Sequence, residues 1–129
     1  MNIKNFYPTP LHLIQKMLSG IDFENLSILE PSAGKGDIAD YIRGKNKQYY
    51  SKQNVDIDCI EIVPELQSIL RGKNHRVIYD DFLTFNTYKR YDYIIMNPPF
   101  DQGDKHLLKA IELQKHGGKI ICLLNAETL

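Results

Sequence analysis

Leu26-Ser27-Ile28-Leu29-Glu30-Pro31-Ser32-Ala33-Gly34-Lys35-Gly36-Asp37-Ile38-Ala39 reads as a strand, a turn and the start of a helix. Leu26 to Glu30 is short and largely apolar, which suits a buried strand. Gly34 and Gly36 form the turn, where glycine permits positive φ and a close backbone approach to a ligand. Asp37 to Gly44 follows as a helix. The turn falls short of the full dinucleotide fingerprint, because Asp37, Ile38 and Ala39 follow Gly36 and Ala39 takes the third small position. Asp37 at a helix start would repel a pyrophosphate, whereas an ammonium group tolerates an acidic rim. A nucleoside ligand without phosphate fits better. Taken alone, the turn serves such a ligand or simply joins a strand to a helix.

The alternation of strand and helix runs outward in both directions. Pro10 to Gly20 predicts a helix with apolar Leu11, Leu13, Ile14, Met17 and Leu18, stopped by Gly20. Arg43 to Lys52 is polar and reads as a loop. Val55 to Ile62 alternates as a strand, and Pro64 at a first helical position opens a helix to Leu70. Arg76 to Tyr79 and Tyr91 to Met96 are further strands. Asp104 to Lys115 is a helix broken by Gly117-Gly118, and Lys119 to Leu124 is a fifth strand. This order predicts an α/β fold over residues 1–129: a Rossmann-like, doubly wound, mainly parallel sheet with helices on both faces. Such sheets bind ligands beyond the carboxyl ends of their strands, at the switch point. Glu30, Glu61 or Ile62, Asp80-Asp81 and Asn97 all fall at predicted strand ends, which points to one composite site.

Composition narrows the partners. The 129 residues carry 16 basic and 16 acidic side chains, so a whole-domain basic field for nucleic acid is absent. Any contact with DNA relies on a local patch. Hydrophobic residues are 43% of the chain, enough for a globular core. Cys59 and Cys122 sit inside apolar runs and read as small buried hydrophobes in a reducing compartment. No Cys/His cluster has zinc spacing, so no metal is expected. The chain reads without a signal peptide or an apolar run of about 18 residues, so a cytoplasmic, non-membrane protein is expected.

Asn97-Pro98-Pro99-Phe100 carries the chemistry. Two successive prolines end the preceding strand and supply no backbone N–H. They leave a carboxamide, backbone carbonyls and an aromatic ring at a strand's carboxyl edge. That set can accept hydrogen bonds from a planar amino group and stack on its ring, as a flipped adenine requires. The bland readings are a turn-forming Asn before Pro and a core Phe. Glu61 can accept both hydroxyls of a ribose, or is a surface carboxylate. One carboxylate of Asp80-Asp81 can accept from an adenine amino group with Phe82 on the ring, or the pair is an Asp-rich turn. Arg43, Lys45, Lys47 and Lys52, interleaved with Tyr49 and Tyr50, touch a phosphate backbone or form a solvated loop. Asp101-Gln102-Gly103-Asp104 is expected to be a mobile loop over the substrate, with Asp104 capping the next helix. The four histidines receive no role.

The order Tyr7-Pro8-Thr9-Pro10, Glu30 to Gly36, Glu61, Asp81-Phe82 and Asn97 to Phe100 resembles the S-adenosylmethionine-dependent N6-adenine DNA methyltransferases, with cofactor motifs ahead of the catalytic one. The resemblance spans Phe6 to about Leu124. It implies S-adenosylmethionine as cofactor. Tyr7, Thr9 and Pro10 would border its methionine carboxylate, and Ser32, Ala33, Gly34 and Gly36, with Glu30 in the same turn, its methionine and ribose. Glu61 would hold the ribose hydroxyls, Ile62 and Phe82 would flank the adenine, and Asp81 would hold its amino group. Asn97 and the Pro98 carbonyl would accept the two N6 hydrogens of a flipped adenine, Pro99 would complete the motif, and Phe100 would stack on the base. Transfer would be direct and in line, helped by positioning and fixed dipoles.

The sequence stops after the fifth strand, where the family's fold has a sixth and a seventh. The resemblance therefore implies truncation, with target recognition supplied by a C-terminal region or a partner subunit, within restriction-modification or a related setting. RNA adenine and protein glutamine methylation stay open, the latter class usually having Tyr where Phe100 stands. So does a cofactor-binding module without catalysis.

Overall fold

The computed structural model of the protein describes residues 8–45 and 54–123. Tyr7, Lys47, Tyr49, Tyr50 and Lys52 lie outside the described residues. The chain runs α1 (Leu11–Met17), β1 (Ser27–Glu30), α2 (Asp37–Lys45), β2 (Asp56–Ile60), α3 (Pro64–Gly72), β3 (Arg76–Tyr79), β4 (Tyr93–Met96), α4 (Gly103–Leu113) and β5 (Lys119–Cys122). Short 3-10 turns cover Phe82–Thr84 and Phe100–Gln102. The five strands are all parallel, in the order β3-β2-β1-β4-β5. The expected doubly wound α/β architecture is therefore present.

Each inner strand offers apolar side chains to both faces, as a sheet covered on both sides requires. Ile28, Ile57, Cys59 and Ile95 pack under Ile14 of α1 and Leu18 just after it, Ile38 and Ile42 of α2, and Leu70 of α3. Leu29, Ile60, Ile94 and Met96 pack on the other face with Phe82, Phe85, Tyr91 and Ala110 of α4. β3 and β5 are the edges and are less buried. Neither cysteine is in a disulfide, and Cys59 is fully buried. Among the described residues no helix is long and apolar enough to cross a membrane.

Several element ends differ from the expected ones. β4 begins at Tyr93, not Tyr91, because Tyr91 turns into the core and its hydroxyl donates to Asp58 at 2.7 Å. Asp58 is itself buried and takes Lys89 Nζ at 2.8 Å, with Arg76 Nη1 3.0 Å from its other oxygen. β2 ends at Ile60, not Ile62, after a register shift against β3 at Cys59/Ile60. Residues 101–104 are not a loop: the 3-10 turn leads straight into α4. Asp104 is not the helix cap, since Gln102 holds that position and the Asp104 carboxylate accepts from Lys105 N–H.

The β1–α2 connection is closely packed. Gly36 has φ +96°, and a Cβ there would sit 3.0 Å from the His75 ring and 3.1 Å from Leu70. Its bareness thus makes room for Leu70 of α3 and for His75. His75 is buried, and its Nε2 lies 2.6 Å from Asp40 of α2. Glu30, at the end of β1, is 2% exposed, and one of its oxygens has no hydrogen-bond partner among the described residues. Burial pushes its carboxyl pKa well up, Asp37, Glu61 and Asp40 add to the rise, and an N–H from Ala39 opposes it.

Two outcomes are expected. Gly36→Ala should lower stability by about 1–3 kcal/mol in urea unfolding, from strain at positive φ and from the crowded ring. Glu30 holds its proton longer when folded than when unfolded, so the unfolded state binds fewer protons over that interval. Its contribution to stability should therefore fall as pH rises from its ordinary value of 4.5 towards the raised folded value. Glu30→Gln should remove that fall, seen as a Tm gain over the parent chain that grows with pH.

Candidate functional site

A cavity of about 630 Å³ opens beyond the carboxyl ends of β1, β2, β3 and β4. It lies within the roughly 300–1,000 Å³ of small-ligand pockets. It sits where β1 separates β2 from β4, the point at which the strand order reverses. Six stretches distant in sequence meet there.

The first wall is the β1–α2 turn. Ser32, Ala33, Gly34 and Lys35 line it, with Asp37 and Ile38 from the start of α2. Gly34 has φ +60°. Its N–H donates to Glu61 Oε1 at 2.7 Å, and Val63 N–H donates to Glu61 Oε2 at 2.9 Å. Glu61 is therefore a buried brace between two loops as well as a wall of the cavity. Burial raises its carboxyl pKa, while the N–H groups of Val63, Gly34 and Ile62 pull it back.

The second wall carries Ile62, 59% exposed and open to a flat ligand face, and Asp80, Asp81 and Phe82 after β3. Asp81 Oδ1 caps the 3-10 turn by accepting from Leu83 N–H at 3.0 Å. Phe82 is buried and packs against the His106 ring at 5.5 Å, so only part of it is offered to the cavity.

The third wall is Asn97-Pro98-Pro99-Phe100, each residue half-buried and lining the cavity. Pro99 begins the 3-10 turn that carries Phe100. The Asn97 side chain is held from across the site, where its Nδ2 donates to Thr9 Oγ1 at 2.9 Å. Thr9 and Pro10 form the roof with Leu13. Among the described site residues expected from the sequence, Gly36 alone does not line the cavity.

His106 was missed. It projects from α4 on the face shared with Gly103 and Ala110, and its Nδ1 lies 3.0 Å from the Gln102 carbonyl. A carbonyl only accepts, so Nδ1 carries the proton. Burial lowers its pKa. The spacing of His106 and Ala110, one helical turn apart, was the available signal.

The donor set suits a cationic nucleoside. Glu30, Asp37, Glu61, Asp80, Asp81 and Asp101 line the cavity, against Lys35 as the one lysine or arginine among the described residues. Glu30 Oε1 and Ser32 Oγ are buried there without hydrogen-bond partners among the described residues. S-Adenosylmethionine offers an ammonium, ribose hydroxyls and an adenine amino group, all donors, so the residues present fit it.

No family model matches the chain. It is 38% identical over 89 residues to the Type II methyltransferase M.CvrRI of Paramecium bursaria Chlorella virus XZ-6E, covering 66% of this chain and 22% of that protein. It is 28% identical over 120 residues to ribosomal RNA small subunit methyltransferase A of Mesomycoplasma hyopneumoniae strain J, covering 89% of this chain and 43% of that one. The chain thus spans under half the length of these curated relatives. Among solved structures, PH1948 of Pyrococcus horikoshii, a candidate RNA methyltransferase, superposes with a TM-score of 0.66 at 26% identity over 94% of this chain and 64% of its own. Coclaurine N-methyltransferase, solved with S-adenosylhomocysteine, shares the fold with a TM-score of 0.58 at 16% identity, over 80% of this chain and 32% of its own. By sequence likeness and by fold, the chain is similar to the class I S-adenosylmethionine-dependent methyltransferases.

Proposed function

We propose that this site methylates the N6 amino group of adenine in DNA. The observation that carries the reading is the Asn97-Pro98-Pro99-Phe100 edge, set on the same cavity as the β1–α2 turn with one amide end of Asn97 already engaged. S-Adenosylmethionine supplies a methyl on a sulfonium, whose sulfur keeps the bonding pair when the methyl leaves. The acidic walls favour that positive charge and disfavour phosphate, so a nucleic acid would present a base here and leave its backbone outside.

The chain's own groups do the rest. The N6 lone pair of adenine is delocalised into the ring and is a weak nucleophile. Asn97 Oδ1 and the Pro98 carbonyl each accept one N6 hydrogen, which favours a pyramidal nitrogen with its lone pair turned to the methyl. Pro98 and Pro99 add no N–H that would compete for those acceptors. Phe100 packs on the base. Glu61 accepts from the ribose, and Asp81 accepts from the cofactor's adenine amino group. The extra proton on nitrogen is lost to water after transfer.

RNA is the second reading. It is favoured by the relative named for ribosomal RNA, which aligns with 89% of the chain, and by the candidate RNA methyltransferase of P. horikoshii. Protein glutamine methylation and cofactor binding without transfer are further outcomes the assay must separate.

The test offers labelled S-adenosylmethionine with duplex DNA, single-stranded RNA and a glutamine peptide in parallel. Label in N6-methyladenine of the DNA is expected; label in RNA or peptide alone would replace the reading. Asn97→Ala should cut transfer at least about 100-fold while calorimetric cofactor affinity changes little. Asp81→Ala should weaken that affinity about tenfold.

A further inference from the structure

We propose that Thr9 is a positioning residue for Asn97: its hydroxyl holds the amide nitrogen and leaves the amide oxygen to the incoming amino group. This rests on the reading of the site above and departs from the expectation that Thr9 borders the cofactor's carboxylate.

A carboxamide has a donor end and an acceptor end of nearly the same shape. Turned the wrong way, Asn97 would point its own N–H groups at the substrate's N–H groups, and the bond that activates the nitrogen would be lost. Asn97 Nδ2 donates to Thr9 Oγ1 at 2.9 Å in a part-buried setting, 88 positions apart in sequence. A hydroxyl can also donate, so Thr9 fixes the plane of the amide, and the ligand's donor selects the face. With an amino group in the cavity, the observed orientation alone leaves both amide ends paired.

Thr9 is itself well held. It stands between Pro8 and Pro10, both of which line the cavity, and a residue before proline is confined to extended backbone. Pro10 is the N-cap of α1, and Ile14 in the helix and Leu18 at its end anchor that segment in the core. Little backbone freedom at Thr9 remains to be lost when the hydroxyl engages Asn97.

The test compares the parent chain with Thr9→Val, which keeps the shape, and Thr9→Ser, which keeps the hydroxyl. The readouts are calorimetric affinity for S-adenosylmethionine, kcat and KM on an adenine-bearing duplex, and the Asn97 side-chain NH2 signals in ¹⁵N–¹H spectra. Thr9→Val should lower kcat about tenfold. KM and cofactor affinity should stay within about twofold. The Asn97 NH2 signals should shift and exchange faster with solvent, and Thr9→Ser should restore all three. A loss of cofactor affinity with full kcat at saturation would overturn the proposal and make Thr9 a cofactor contact. Unchanged Asn97 signals in Thr9→Val would overturn it as well. The NH2 readout needs no turnover. A parent chain that methylates no adenine would therefore sink the proposed reaction, while the spectra still decide the role of Thr9.

Discussion

Parallel pairing of β1 with both β2 and β4 is the constraint on which the site depends. It sends every strand's carboxyl end to the same side of the sheet. It also makes the chain leave β1 on one flank and return on the other, so the loops after β1 and β4 diverge and leave a crevice. The glycine turn, Glu61, the Asp80-Asp81 pair and the Asn97 edge are far apart in sequence. They share a cavity because their strands share a direction.

The acidic walls act with that geometry. Placing carboxylates at the end of a buried sheet costs free energy, which shows in the raised carboxyl pKa values of Glu30, from burial and neighbouring carboxylates, and of Glu61, from burial. The fold limits the cost locally, with backbone N–H groups of Gly34 and Val63 on Glu61 and of Ala39 on Glu30. The cost not offset in this way is an electrostatic demand for a positive ligand. An acidic cavity favours a cation over a nucleotide phosphate through the summed charge of its walls and not through any one contact.

The elements were legible in the sequence because apolar periodicity and Gly/Pro punctuation are local signals. All five strands were placed to within two residues at each end, and β3 matched at both. What failed was non-local. Tyr91 reads as a strand residue until Asp58 is brought beneath it, and nothing in the glycine turn itself reports that His75 lies against Gly36. The Asn97–Thr9 bond joins the first described motif to the last, and no short-range pattern reports such a pair. The 3-10 turn at Phe100–Gln102 was hidden by the reading of Asp-Gln-Gly-Asp as a loop, although Pro99 can start such a turn as readily as end a strand.

Glu61 carries a thermodynamic consequence. Both of its oxygens are tethered by backbone N–H groups, yet a carboxylate oxygen has a second lone pair free to accept again. A hydroxyl entering the cavity can share the carboxylate without displacing either tether. Because the side chain is already immobilised, binding forgoes the ordering cost of about 0.5–1.5 kcal/mol that a free glutamate would incur. The protein has lost that entropy at the folding step, where the closing of the glycine turn compensates it, and so the association step is left correspondingly more favourable.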